Sequence, residues 1–159
     1  MPGKIRVLFL CTGNSCRSQM AEAVLRHYRG DYFEAHSAGT DPHPILPLTL
    51  QVLEEEGIST DGLFSKDSTQ FLGTTHFAYV IIVCSRAAES CPTTWPELTP
   101  LHMFFEDPAP FAGTDDEKLT KFREVRDQIE AQVIEWADGV LAVHPDWAEI
   151  AAKAPAPTS

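Results

Sequence analysis

The run Cys11-Thr12-Gly13-Asn14-Ser15-Cys16-Arg17-Ser18 follows directly on the apolar stretch Ile5 to Leu10. The unbroken apolar character of Val7-Leu8-Phe9-Leu10 predicts a strand over residues 4–10 that is buried on both faces. Met20, Ala21, Val24, Leu25 and Tyr28 then recur at helical spacing, which predicts a helix over residues 18–29 that stops at Gly30. A doubly buried strand handing over to a helix commits the chain to an α/β fold. It also makes the connecting loop an oxyanion pocket with a thiol at its floor. Loop N–H groups and the helix N-terminus point at a tetrahedral anion. Arg17 can clamp two oxygens through its planar fork. The same positive field favours a Cys11 thiolate as nucleophile, and Ser18 can donate to that sulfur when it leaves. Cys-x5-Arg also arises by chance, and a cysteine after a buried strand is often a small core residue. The context favours chemistry, because Gly13 and Asn14 tolerate the positive φ a tight anion loop needs. Thr12, Gly13, Asn14, Ser15, Cys16 and Arg17 are therefore the substrate-binding candidates.

The rest of the chain repeats the alternation. Residues 32–37 predict a second strand, and Ala38 to Pro44 a Gly- and Pro-rich loop. A helix is expected over 46–56, stopping at Gly57, and a short helix over 65–72. Tyr79-Val80-Ile81-Ile82-Val83 marks the strongest buried strand, within 77–83. A Ser- and Pro-rich loop covers 84–100, and 101–106 predicts another strand. Thr114-Asp115-Asp116-Glu117 reads as an N-cap followed by acidic first-turn residues. Leu119, Phe122, Val125, Ile129 and Val133 line one face of the long helix behind it. Residues 1–144 form one expected catalytic domain. Residues 145–159, rich in Ala and Pro, predict a short helix at most and then a disordered tail.

In parallel α/β sheets, sites form beyond the carboxyl ends of the strands. Cys11, Cys84 and Asp107 each sit just after a predicted strand. Three chemical residues at three strand ends can converge on one cleft. Asp107 precedes Pro108, which holds its backbone extended, and its carboxyl could protonate the oxygen that leaves as Cys11 attacks. An Asp-Pro turn is the bland alternative; the company of Cys11 and Arg17 favours the acid. Cys84 and Cys91 share the loop after the central strand without zinc-ligand spacing. The six histidines are scattered. Two added thiols beside a nucleophilic cysteine permit a relay of thiol–disulfide exchanges.

The net charge of −11 disfavours a general nucleic-acid binder. No apolar run approaches the roughly 20 residues needed to span a membrane. Met1-Pro2-Gly3-Lys4 leads at once into a strand, with no signal peptide, so a cytoplasmic protein is expected. Four cysteines in that reducing setting suggest redox or catalytic chemistry before structural disulfides.

Cys11 to Ser18 followed by Gln19-Met20-Ala21-Glu22-Ala23 resembles the phosphate-loop signature of low-molecular-weight protein tyrosine phosphatases, and Asp107-Pro108 resembles their general-acid loop. Cys84-x6-Cys91 is similar to the mark of the thioredoxin-coupled arsenate reductases within that superfamily, and residues 122–129 are similar to their final helix. The resemblance implies a three-layer sandwich with a central four-stranded parallel sheet, the flavodoxin-like low-molecular-weight phosphatase fold. It implies a monomeric arsenate reductase, with phosphate or sulfate as competing anions. Cys11, Arg17, Ser18, Cys84, Cys91 and Asp107 would be catalytic. Electrons would pass by Cys11–Cys84 and then Cys84–Cys91 disulfides to thioredoxin, with glutathione and glutaredoxin as the alternative donor. The sodium or potassium site of some family members would map to Asn14, Glu22, Ser37 and Asp67, and hydrogen bonding that props the loop is the slightly favoured role for these residues. Cys16 would be a bystander or an oxidation partner of Cys11. The runner-up is a phosphatase acting on phosphotyrosine or a small phosphoester, which needs Cys11, Arg17 and Asp107 alone. Asp107-Pro108-Ala109-Pro110-Phe111 lacks the tyrosine pair that would sandwich an aryl ring, which favours a small inorganic oxyanion, with residual phosphatase activity.

Overall fold

The computed structural model describes residues 4–83 and 98–143. Its elements run β1 (Ile5–Cys11), α1 (Arg17–Arg29), β2 (Phe33–Gly39), α2 (Pro47–Glu55), a 3₁₀ turn (Ser68–Phe71), β3 (Tyr79–Ile82), β4 (Leu101–His102) and α3 (Asp115–Val143). The four strands form one sheet in the order β2-β1-β3-β4, and every pairing is parallel. The expected fold is therefore present.

β1 lies inside the sheet and is buried on both faces except at Arg6. Two-residue periodicity assigns the layers. Trp136 of α3 packs on Phe33 and Tyr79, which are in register with Ile5 and Val7. His36 belongs to the opposite face, where Phe71 and Phe77 stack edge-on around it. The sheet is thus a middle layer. α1 packs on both the sheet and α3, and from Ser18 to Leu25 every one of its residues is buried. A helix enclosed all round must carry its polar side chains in satisfied networks. Ser18, Gln19 and Glu22 are those side chains.

Local signals set the ends. Thr114 Oγ1 accepts from Glu117 N at 3.2 Å while Glu117 Oε1 accepts from Thr114 N at 3.1 Å, a reciprocal capping box that starts α3. Pro47 occupies the first turn of α2, where its missing N–H costs nothing. Gly57 leaves α2 at φ +73°. Arg126, buried in α3, donates to Val52 O at 2.9 Å and pairs with Glu55 and Glu56, which fixes α2 against α3.

Three expectations are corrected. The helix expected over 65–72 is the single 3₁₀ turn Ser68–Phe71, because Asp67 spends its carboxylate capping Thr69 and the chain leaves at Leu72 with extended backbone. The strand expected over 101–106 pairs only at Leu101–His102. Beyond it, Phe104 is exposed and Phe105 buried, so the apolar run serves packing rather than a longer ladder. Gly13 does not use a positive φ; Asn14 does, at +49°. The expected tail at 145–159 lies outside the described residues. No helix among the described residues is long and apolar enough to cross a membrane.

Ile129 is fully buried at the centre of α3's packed face. Ile129→Ala is expected to lower unfolding free energy by about 2–5 kcal/mol, read from urea denaturation. A loss under about 1 kcal/mol would show that α3 does not seal the core there.

Candidate active site

The loop 11–16 leaves the carboxyl end of β1, at the point where the chain goes to β2 on one side and β3 on the other. That is the switch point at which open parallel sheets form crevices. The position of each loop carbonyl shapes it. Cys11 O accepts from Thr40 N at 3.3 Å, Thr12 O from Asp41 N at 2.9 Å, and Gly13 O from His43 N at 2.9 Å. Asn14 O accepts from Gln19 Nε2 at 3.0 Å. Ser15 O accepts from Leu46 N at 3.1 Å, and Cys16 O from Met20 N within the first helical turn. In a planar trans peptide the N–H points opposite to the C=O. Tying each carbonyl to the surrounding chain therefore turns the following N–H groups toward the inside of the loop. Asn14 N shows the result, donating to Cys11 Sγ at 3.1 Å. Gly39 permits this close approach of β2: a Cβ there would lie 2.4 Å from Thr12 O.

Cys11 is buried, and its sulfur lies 2.9 Å from Ser18 Oγ. Asn14 Nδ2 donates to the same Ser18 Oγ at 2.8 Å, which directs the serine hydroxyl proton to the sulfur. The sulfur thus sits among two hydrogen-bonding groups. Asn14 Oδ1 in turn accepts from Gln19 Nε2 at 3.0 Å and Lys66 N at 2.9 Å. Asn14 thus ties the sulfur's serine partner to α1 and to the segment before the 3₁₀ turn.

Arg17, mostly buried at the start of α1, donates through Nη1 to Phe105 O at 3.2 Å. Its Nη2 lies 3.6 Å from Asp107 Oδ2. The other Asp107 oxygen accepts from Ala109 N at 3.0 Å, an Asx turn that holds the carboxyl beside Arg17. The structure thus brings Cys11 to Ser18, and Arg17, the next residue to Ser18, to Asp107. Cys84 and Cys91 lie outside the described residues. Val83, the residue before Cys84 in the chain, donates its N–H to Leu10 O at 2.9 Å, beside the nucleophile's strand end.

Cys16 is buried, and desolvation pushes its thiol up to about 12 despite a hydrogen bond with Thr49. It stays a neutral thiol at physiological pH and contributes its backbone to the loop. Sequence reasoning missed three contributors: Gln19, Lys66 and the 40–46 segment. Gln19 carries a usable signal, since a polar side chain on a helix face otherwise packed in the core must serve a network; Lys66, in an irregular segment, carries none. The third acts through backbone N–H groups alone and leaves no residue-type signature.

Of the four residues expected to hold a monovalent cation, two are in direct contact and the other two make hydrogen bonds elsewhere. Ser37 Oγ donates to Glu22 Oε1 at 2.7 Å, so these two meet. Both donors on Asn14 Oδ1 are N–H groups. Asp67 is exposed and accepts from Thr69 N and Thr69 Oγ1 at 2.9 and 2.8 Å. Glu22 already faces two cationic side chains: Arg26 pairs with Oε2, and Lys66 Nζ lies 3.5 Å from Oε1. The buried Gln19 Oε1 has no hydrogen-bond partner among the described residues, but a lone amide oxygen is not a coordination shell. Among the described residues, one group of carboxylates lies close enough for a metal, Glu56, Asp127 and Glu130. Arg126 pairs with the first two of these, which gives the cluster its countercharge.

Comparison with known proteins fits this geometry. The chain is 38% identical over 142 residues to an arsenate reductase of Bacillus subtilis, covering 87% of this chain and 98% of the relative. A solved arsenate reductase in its phosphate binding state superposes with a TM-score of 0.67 at 28% identity, over 83% of this chain and 95% of that one. A thioredoxin-dependent arsenate reductase from Corynebacterium glutamicum superposes at 0.66 with 29% identity, over 89% of this chain and 64% of that one. Residues 6–146 match the low molecular weight phosphotyrosine protein phosphatase family, and the chain belongs to it.

Proposed function

We propose that the chain is an arsenate reductase that passes electrons from thioredoxin through Cys84 and Cys91. The observation that carries this reading is the donor array on the Cys11 sulfur, with Asn14 N at 3.1 Å and Ser18 Oγ at 2.9 Å, at the start of the helix whose Arg17 lies 3.6 Å from Asp107. A thiolate held by donors, in a loop whose amides face inward, is built to attack the centre of a tetrahedral oxyanion. The arsenate reductases among its relatives favour arsenic over phosphorus as that centre.

The chemistry balances as follows. The Cys11 thiolate forms an S–As bond, and one arsenate oxygen departs as water with a proton from Asp107. The Cys84 thiolate then attacks Cys11 Sγ. The S–S bond forms, the S–As bond breaks, and its electron pair stays on arsenic, which leaves as arsenite. Cys91 attacks Cys84, freeing the Cys11 thiolate and leaving a Cys84–Cys91 disulfide. The dithiol of thioredoxin reduces that disulfide. Phosphate fits the same loop but does not accept electrons, so it acts as a competing anion.

Purified reduced protein is expected to form arsenite from arsenate with thioredoxin, thioredoxin reductase and NADPH. Arsenite only with glutathione and glutaredoxin would keep the reductase and replace the donor. Hydrolysis of p-nitrophenyl phosphate with no arsenite from either system would establish the phosphatase instead. Cys11→Ser is expected to abolish turnover. Cys91→Ala is expected to release at most a single arsenite per enzyme with thioredoxin; sustained turnover would overturn the internal relay.

The neutral Cys16 gives a separate expectation. Cys16→Ala should keep the arsenite rate within about threefold of the parent, because a neutral thiol is not a nucleophile. Peptide mapping after iodoacetamide at neutral pH should find Cys11 modified and Cys16 intact. A modified Cys16, or a much larger loss of rate, would give that thiol a part in the reaction.

A further inference from the structure

Beneath the loop lies a buried charge pair that the reaction scheme does not use. Lys66 is 6% exposed and Glu22 2% exposed. The Lys66 ammonium donates to Phe64 O at 2.7 Å, lies 3.5 Å from Glu22 Oε1, and sits 4.4 Å from the Phe64 ring centroid. A carbonyl, a carboxylate and an aromatic face thus surround it. Ser37 and Arg26 complete the shell of Glu22. The same lysine's backbone N–H donates to Asn14 Oδ1, and its carbonyl accepts from Gly39 N at 2.9 Å. Lys66 therefore grips the two residues that shape the loop: Asn14, which orients Ser18, and Gly39, which backs Thr12.

We propose that the Lys66 ammonium is a tethered monovalent cation, standing where the family resemblance implied sodium or potassium, so that the loop holds its anion-binding shape without a free ion. Lys66 is a positioning residue: it acts on the oxyanion through Glu22, Asn14 and Gly39. Three observations support this. The ammonium supplies Glu22 Oε1 with the positive charge a bound ion would bring. Asn14 Oδ1 is committed to N–H donors, and Asp67 is turned to Thr69. A solvated potassium ion would have to displace a covalently attached cation already at the site, whose effective concentration no free ion matches. Burial lowers the Lys66 pKa, while Glu22 holds the charge in place. The inference rests on reading the loop as an oxyanion site, but not on reduction of the anion.

The test compares potassium, sodium and tetramethylammonium chlorides at equal ionic strength, about 100 mM. It reads phosphate affinity by calorimetry and melting temperature with and without phosphate. Tetramethylammonium is too large to enter the site. The parent protein is expected to show the same phosphate affinity and melting temperature in all three salts. Lys66→Ala opens space beside Glu22 and Ser37. In tetramethylammonium it should bind phosphate about tenfold more weakly, and potassium or sodium should restore most of that loss. Lys66→Met fills the same space without charge, so it should be weakened with no rescue by any salt. A parent protein whose phosphate affinity or melting temperature rises specifically with potassium would overturn the proposal. So would a Lys66→Ala protein that binds as the parent does in tetramethylammonium, or one whose loss no small cation repairs. Should the alanine variant not fold, the parent comparison and Lys66→Ser, which also leaves room for an ion, run in the same salts with the same expectation of small-cation rescue, decide it. Phosphate affinity is read whether the bound anion is reduced or hydrolysed. A failed arsenite assay and a failed cation test are therefore distinct results.

Discussion

The site depends on one constraint: the carbonyls of residues 11–16 must point away from Cys11. An anion cannot approach carbonyl oxygens, so a loop of this size binds an oxyanion only if its peptide planes share one orientation. Glycine-rich sequence allows that orientation without imposing it. Here it is imposed from outside, by N–H donors of residues 40, 41, 43 and 46, by Gln19 and by the first turn of α1. Each bond is an ordinary one, contributing on the order of 1 kcal/mol. Their joint effect is larger, because rotating one plane would break its own bond and strain its neighbours. Preorganisation of this kind is what lets fixed dipoles act on a developing charge without reorganising when it appears.

A second layer holds the first. Asn14, with its left-handed backbone, Ser18, Gln19, Glu22, Ser37 and Lys66 form a polar network inside an apolar core. Buried charge is costly unless paired, so such a network is retained for specificity of conformation more readily than for stability. Its geometry fits that purpose. Asn14 receives donors from α1 and from residue 66, and passes one on to Ser18, whose hydroxyl meets the sulfur. The orientation of one hydroxyl proton is thereby linked to the placement of elements some fifty residues apart in sequence.

The residues differ in how far the sequence exposes them. β1, α1 and the Cys-x5-Arg loop are legible because periodicity and motif agree, and a parallel sheet then follows from alternation of strands and helices. Asp107 is legible as a strand-end carboxyl, and the structure brings it to Arg17. β4 was overextended for a physical reason: Met103 to Phe105 are apolar enough for a strand, yet Phe104 faces solvent while Phe105 fills the core. Pattern alone does not separate a ladder from a packed extended chain. The 40–46 clamp is illegible in principle, since any residue but proline offers an N–H. Lys66 misleads in another way. A lone lysine in a polar stretch reads as surface, and only the three-dimensional meeting with Glu22 reveals it as interior. Asp67, its neighbour, reads as a ligand and is a cap.

The acidic surface bears on the same geometry. A chain of net charge −11 repels a dianion at long range, yet the proposed substrate is one. The two facts are compatible because they act at different distances. Fields from exposed carboxylates fade beyond roughly 8 Å at physiological ionic strength. Much of the acid near α2 and α3 is also paired: Glu55 with Arg123, and Glu56 and Asp127 with Arg126. At contact distance the anion meets inward N–H dipoles, a helix N-terminus with no acidic residue in its first turn, and the Arg17 fork. Affinity is then set by directional donors rather than by net charge. Directional donors also distinguish a tetrahedral oxyanion from any other negative group, which a diffuse positive surface could not do.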